Sequence, residues 1–389
     1  VSTNLVTRRF VVLWLIGFTS YASVYLLLPV IPLYLKERGA NTAIVGTLGV
    51  GMMGLMALIV RPFSGWLSDS YGRKPLIGAG LAALLVHTLL LPITGIGALF
   101  AAARALGGVG WGGLTSNTNT LAGEMAPPGR RGEGIGYYTM AGSTALALAP
   151  AAGLYVMNAR GAAAAFAVSA ALLVPALVLS WLLPPPTRAP LAPLRVDNLI
   201  TTSVLGPAAV VVIHAAAYAG IVTFLPLLAR ERGLGETGLF FTMYAGALVF
   251  LRGAGGRLSD RYGRPAVIAP GMACAAISML MLAFAAARWQ MLLAALVFSV
   301  AMALVQPPSL AWALDLGGSR RGTAMATMVA AQDAGVGGGA TLLGMIGARG
   351  GFDALFGTAA ALAALAAVAL FVFTRNRLPM SRAAAETGH

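Results

Sequence analysis

The chain has 389 residues, 58% of them hydrophobic and only 10% charged, with a mean hydropathy of +0.83. Soluble domains carry roughly 25% charged residues, so an ordinary soluble globule is excluded. A formal net charge of +14 would suggest nucleic acid in a soluble protein, but no basic stripe is interleaved with exposed aromatics, and nucleic acid is not an expected partner.

Apolar stretches of about 20 residues or more, long enough to cross a hydrocarbon core roughly 30 Å thick, recur from end to end. About twelve are predicted as membrane helices. In the first half they cover approximately 10–35, 43–68, 75–95, 97–123, 134–158 and 160–183. In the second half they cover approximately 204–230, 236–259, 266–286, 288–314, 321–348 and 352–373. The first run is too long, and followed by too many others, to be only a cleaved signal peptide. Between the sixth and seventh lies Pro184-Pro185-Pro186-Thr187-Arg188-Ala189-Pro190, a stiff helix-breaking linker. The expected organisation is a six-helix bundle over 1–183, a cytoplasmic Pro-rich linker over 184–203, a second six-helix bundle over 204–374 and a cytoplasmic tail over 375–389.

With the N-terminus inside, these spans place 16 of the 26 basic residues in cytoplasmic segments, 7 in external ones and 3 (Arg61, Arg104 and Arg252) within helices. That positive-inside bias sets both termini in the cytoplasm. The single cysteine, Cys274, lies in an apolar run and reads as a small packing residue, with no disulfide framework or cysteine-based metal site.

The halves repeat. The pattern R-x-x-x-G-x-L-S-D-x-Y-G-R runs from Arg61 to Arg73 and again from Arg252 to Arg264, an offset of 191 residues. Pro32-Leu33-x-x-Lys36-Glu37-Arg38-Gly39 is matched by Pro226-Leu227-x-x-Arg230-Glu231-Arg232-Gly233. Two unrelated motifs at nearly one separation identify a duplicated half, and duplicated halves in an apolar chain suggest a transporter.

The segment Gly65-Trp66-Leu67-Ser68-Asp69-Ser70-Tyr71-Gly72-Arg73-Lys74 closely resembles the G-x-L-[SA]-D-x-x-G-R-[KR] signature between helices 2 and 3 of the major facilitator superfamily. Gly256-Arg257-Leu258-Ser259-Asp260-Arg261-Tyr262-Gly263-Arg264 falls where that family keeps a degenerate copy. The resemblance, to the 12-helix drug/proton antiporter group, implies an all-α membrane protein of two pseudo-symmetric six-helix bundles. It also implies that Asp69 faces the start of the eleventh helix near Gly322 when the cytoplasmic side is closed. Physical chemistry gives these residue types work beside the name. Gly65 allows close helix approach, Gly72 permits a tight turn, and Asp69 suits the positive end of a neighbouring helix. Arg73 needs an acidic partner, for which Glu124 is the natural choice. Asp315, 191 residues later, stands ready for Arg264 beside Asp260 and Gly263. These residues form a pair of expected conformational clamps, the alternative being solvated charges that only set topology.

A weaker signal lies in the fifth span. Antiporters of the family often carry G-x-x-x-G-P-x-x-G there, and this chain has Ala145-x-x-x-Ala149-Pro150-x-x-Gly153. Alanines replace both early glycines, and generic close packing explains the pattern nearly as well.

Arg104, Trp111, Thr115 and Asn119 are spaced by 7, 4 and 4 in the fourth span, which places them along one helix face. The position of Arg104, with Gly108 following, resembles the R-x-x-x-G arginine that the family associates with proton coupling. A buried arginine costs at least about 2.5–3.5 kcal/mol on insertion scales, so it should face a wet cavity or a partner. The only mid-membrane carboxylate is Asp333, twelve residues into the eleventh span and hence about 18 Å deep. It is the first candidate proton carrier, coupled to Arg104 or to His214, since histidine titrates near neutral pH. Trp14, Phe18, Tyr21 and Tyr25 form an aromatic stripe on the first span, and Tyr218 lies one turn beyond His214. With Gln306 and Gln332 they suggest an aromatic, amide-rich cavity suited to a flat or amphipathic ligand, although packing alone is the commoner use of such stripes.

The chain lacks G-x-x-x-x-G-K-[ST], H-E-x-x-H and any placeable Ser-His-Asp arrangement, so neither ATP-driven pumping nor catalysis is expected. The reading is a secondary active transporter, not an enzyme, that works as a monomer in the lipid bilayer of a bacterial inner membrane. It needs no cofactor, is driven by a proton gradient, and exports a small amphipathic or drug-like molecule. The rival is a symporter or facilitator for a small, possibly anionic, metabolite held by Arg104.

Overall fold

The computed structural model describes residues 7–127, 131–185, 201–251, 254–318 and 321–386, with backbone only at 69, 131–133, 254, 321–322 and 376–386. The predicted linker beyond residue 185 therefore lies mostly outside the described residues, as do Arg252 and the side chain of Asp69.

The described chain is helical, without strands. Helix α1 (Arg8–Glu37) opens where Thr7 Oγ1 accepts the Phe10 amide at 3.3 Å, filling one of the orphan donors of a first turn. A short α2 (Thr42–Ile44), capped by Asn41, runs through a π-helical stretch, Val45–Gly51, into α3 (Met52–Tyr71). Then follow α4 (Arg73–Leu90), α5 (Ala98–Met125), α6 (Arg131–Arg160) and α7 (Ala162–Ser180). The second half holds α8 (Leu205–Glu231), α9 (Gly238–Leu251), α10 (Ala254–Tyr262), α11 (Arg264–Ala283) and α12 (Arg288–Gly317). It ends in α13 (Arg321–Glu386), two helices joined across a break at Gly351, where φ is 71°.

Among the described residues, nine helices are long and apolar enough to cross a membrane, or up to 10 if α9 and α10, bent by 46°, are one span. Helix α5 is 28 residues long but stands outside that set, because Gly107, Gly108, Gly110, Gly112 and Gly113, with the polar run after them, dilute its hydropathy.

In the first half α1 packs on α6 and α7, and α5 packs on α3 and α4; in the second, α8 and α11 pack on α13, and α12 on α9 and α11. Between the halves, α1 meets α8, α6 meets α9, and the π stretch and α3 meet α13. These contacts tighten toward the end of the molecule that carries Glu37. A Cβ on Gly46 would stand 2.2 Å from the Ala340 carbonyl, and one on Gly54 would stand 2.8 Å from Gly337, so the two backbones approach as only small residues allow. Glu37 pairs with Arg230 at 2.8 Å, and Asn158 donates to Glu236 at 3.2 Å. A recess of about 630 Å³, lined by Leu33, Leu154, Met157 and Pro226 among others, surrounds these two contacts.

Toward the end that carries Arg73 the picture changes. Gly65 is expected in a close helix contact; among the described residues, a Cβ there would have nothing within 4 Å. The tight contact with α13 is made turns earlier, by Gly46 in the π stretch and Gly54 in α3.

Candidate functional site

Two charged side chains join the halves at mid-helix. Asp333 on α13 is 7% exposed and takes a two-pronged contact from Arg61 on α3: Nε donates to Oδ2, and Nη2 donates to Oδ1 at 3.1 Å. The remaining nitrogen, Nη1, donates to Thr115 Oγ1 at 3.0 Å and Ser116 Oγ at 3.2 Å on α5. A bidentate arginine–carboxylate pair is among the stronger polar contacts, and in surroundings this dry the loss of one partner is felt by the other.

The sequence reading coupled Asp333 to Arg104 or His214; its described partner here is Arg61. Arg104, 3% exposed, is held inside the first half. Its Nε donates to the Leu48 carbonyl at 2.8 Å, Nη2 donates to the Gly49 carbonyl, and Nη1 lies 3.2 Å from His87 Nε2. The π-helical stretch presents those two carbonyls to it, a use to which such wide turns are often put. His214 stacks on Phe298 with ring centroids 5.5 Å apart, and its Nε2 lies 3.2 Å from Met302 Sδ. No described contact links either residue to Asp333.

The aromatic candidates do gather. Trp111 meets Tyr21 edge-on at 5.1 Å and Tyr25 at 6.2 Å, and Tyr21 and Tyr25 are 5.6 Å apart. Asn119 donates to the Thr115 carbonyl at 2.7 Å. From the second half, Tyr218 lies within electrostatic reach of Tyr25 and 6.5 Å from Tyr244. Gln306 Nε2 donates to Gln332 Oε1 at 3.1 Å. Trp14 and Phe18 stack on each other at 5.5 Å. Sequence reasoning missed Arg61 as a partner, together with Ser116 and Tyr244. The available signal was Arg61 itself, the first residue of the repeated pattern and a charge in mid-span.

At the helix ends, Arg73 lies 3.2 Å from Glu124 through Nη2 and also donates to Ser68 Oγ. In the second half Arg264 Nε lies 3.0 Å from Asp315 Oδ2, and its Nη1 donates to Ser259 Oγ at 2.8 Å and to Asp260. Gly72 and Gly263, at φ 82° and 92°, make the turns that aim both arginines back, a backbone region side-chain-bearing residues rarely enter. Each pair stays within its own half, joining α4 to α5 and α11 to α12. The expected meeting of Asp69 with the helix start near Gly322 falls on side chains outside the described residues. The Ala145, Ala149, Pro150 and Gly153 stripe lies on α6, which packs on α1, and a Cβ on Gly153 would stand 2.2 Å from the Leu26 carbonyl.

A helical, apolar chain of repeated halves, with helices long enough to cross a bilayer, defines a multi-pass membrane protein. The sequence profile of the Major Facilitator Superfamily matches residues 13–235 and 207–388, and the chain belongs to that family. It is therefore a multi-pass membrane transporter and not an enzyme. It is 26% identical over 146 residues to the quinolone resistance protein NorA of Staphylococcus aureus, a match covering 38% of this chain and 37% of that protein. It is 28% identical over 178 residues to the multidrug resistance protein MdtG of Yersinia enterocolitica, covering 45% and 43%. The chain thus covers less than half the length of either relative. Its fold superposes on a POT family transporter solved with a thioalcohol-conjugated peptide, with a TM-score of 0.80 at 12% identity, covering 95% of this chain and 96% of that one.

Proposed function

We propose that the chain is a proton-coupled exporter of small amphipathic or drug-like molecules that works by alternating access, as a monomer, in a bacterial inner membrane. Counting α9 and α10 as one bent span, including α5 and dividing α13 at Gly351 raises the nine spans to twelve. They fall into two six-helix bundles, α1–α7 and α8–α13, joined by the Pro-rich linker. The positive-inside bias puts both termini and the Arg73 end in the cytoplasm. The Glu37 end is then external and closed, and the conformation is the inward-facing one. The partial likeness to two drug-resistance proteins supports the cargo class, as does the grouping of Tyr21, Tyr25, Trp111 and Tyr218.

The observation that carries the reading is the Arg61–Asp333 bridge. Ionised Asp333 holds Arg61 and ties α3 to α13. A proton arriving on the carboxylate cancels its charge, weakens the tie and frees the halves to exchange conformations. The proton gradient thereby biases one direction of the cycle, without a cofactor. Arg104 and His214, each buried within one half, serve at most as second-line groups. The clamps at Arg73 and Arg264, with Asp69, stabilise the state closed on the cytoplasmic side.

The rival reading is a symporter or facilitator for a small, possibly anionic, metabolite; the burial of Arg104 within one half, away from the bridge, favours the exporter. In everted membrane vesicles acidified inside, a fluorescent amphipathic dye without a titratable amine should accumulate only when the chain is present and be released by a protonophore. Accumulation that ignores the protonophore would remove proton coupling, and indifference to a panel of amphipathic compounds would remove the cargo class.

A further inference from the structure

Among the described residues, Arg104 is a cation without a counter-anion. Every acidic residue of the first half, Glu37, Asp69, Glu124 and Glu133, stands at a helix end, whereas Arg104 is 3% exposed between α5, α4 and the π stretch. Its neighbour His87 does not change that balance. His87 Nδ1 lies 2.8 Å from the Ala103 carbonyl, which accepts a proton and cannot give one. The ring is thereby assigned as the neutral Nδ1–H form, with Nε2 accepting from Arg104. The cluster therefore carries one whole positive charge, balanced only by carbonyl dipoles and an imidazole lone pair. A guanidinium has five N–H donors. The contacts to Leu48, Gly49 and His87 engage three of them, leaving one on each terminal nitrogen.

A small cavity opens beside these groups. Its volume is about 20 Å³, and Ser23, Thr88, His87, Arg104 and Ser169 contribute its polar lining, with aliphatic side chains closing the rest. A site needs roughly 10–15 Å³ by this measure to hold one water molecule, so there is room for one small monoatomic ion. An anion entering this site gives up its hydration, and attraction to the buried guanidinium in a low dielectric repays that cost only where hydrogen-bond donors meet the ion; the two unengaged N–H groups of Arg104 are such donors.

We propose that this cavity is a halide site, occupied by chloride bound to the free N–H groups of Arg104, and that it neutralises the buried charge of the first half. The proposal stands apart from proton coupling: it concerns a pocket within one half rather than the bridge between the two.

The test uses purified full-length protein in detergent and compares sodium chloride with sodium gluconate at equal ionic strength. Chloride, and bromide likewise, should raise the melting temperature in a saturable manner that fits a single site. Anomalous scattering from bromide-soaked crystals should place one ion beside Arg104. Arg104→Gln should lose the halide-dependent shift. Because that variant risks misfolding, Ser169→Val, which fills the cavity and leaves the guanidinium in place, supplies an independent arm and should lose the shift as well. Equal melting in chloride and gluconate, a bromide peak elsewhere, or a full halide response in Ser169→Val would each overturn the proposal and leave water as the occupant.

Discussion

Replacing Asp333 with asparagine keeps the shape of the side chain and removes its charge. Arg61 and Asp333 are 16% and 10% exposed at the side chain, dry enough that truncating one partner of such a pair costs about 2–5 kcal/mol. Arg61 would retain its bonds to Thr115 and Ser116, which argues for the lower part of that range. At roughly 1.4 kcal/mol per factor of ten, about 2 kcal/mol is a shift near 30-fold away from the conformation described, provided the bridge is absent from the opposite state. Asn158 and Glu236 touch across the halves at 3.2 Å and report that conformation. The chain has one cysteine, Cys274, so a Cys274→Ser background carrying Asn158→Cys and Glu236→Cys forms a disulfide only when the Glu37 end is shut. Adding Asp333→Asn should slow disulfide formation by an order of magnitude or more. An unchanged rate would refute the argument that this pair biases the two states.

The other expectations can be checked with the same preparations. Gly46→Ala places a methyl group 2.2 Å from the Ala340 carbonyl and should slow the same cross-link while leaving Asp333 untouched; a normal rate would show that the contact yields freely. Glu124→Gln and Asp315→Asn remove partners that are 47% and 57% exposed at the side chain. Each should lower stability by no more than about 1 kcal/mol in thermal melts while reducing transport, and a large loss of stability would recast the clamps as structural. Trp111→Ala removes the ring that meets both Tyr21 and Tyr25 and should weaken binding of flat aromatic compounds by roughly 0.5–1.5 kcal/mol, or about 2–10-fold, with little change for aliphatic amines. Unaltered binding across both classes would move the cargo site elsewhere.

How much of this was legible depends on where the information lies in the chain. The proximity of Arg73 to Glu124 and of Arg264 to Asp315 could be read directly, because the duplication supplies the same 51-residue separation twice. The turn glycines could be read for a similar reason: a helix that stops and restarts at Gly72 or Gly263 needs a positive φ. The break at Gly351 falls in the gap between the predicted spans 321–348 and 352–373. Helix rotation was not legible. Arg61 and Asp333 are 272 residues apart, and nothing in either neighbourhood states that the two point at one another. Nor did spacing reveal the surroundings of Arg104. It shares a stripe with Trp111, Thr115 and Asn119, but its length lets it turn to backbone carbonyls in a π-helical segment, and backbone acceptors have no sequence signature. Gly65 shows a third kind of limit: a glycine's suitability for close approach is legible, whereas which helix comes near it is not.

The most direct test of the account is transport by Asp333→Asn protein reconstituted in proteoliposomes, with substrate counterflow and pH-driven uphill movement measured on the same vesicles. The account predicts that counterflow persists, because the cavity remains, and that a pH gradient no longer drives accumulation. Uphill, gradient-dependent accumulation by that variant at the wild-type level would contradict it.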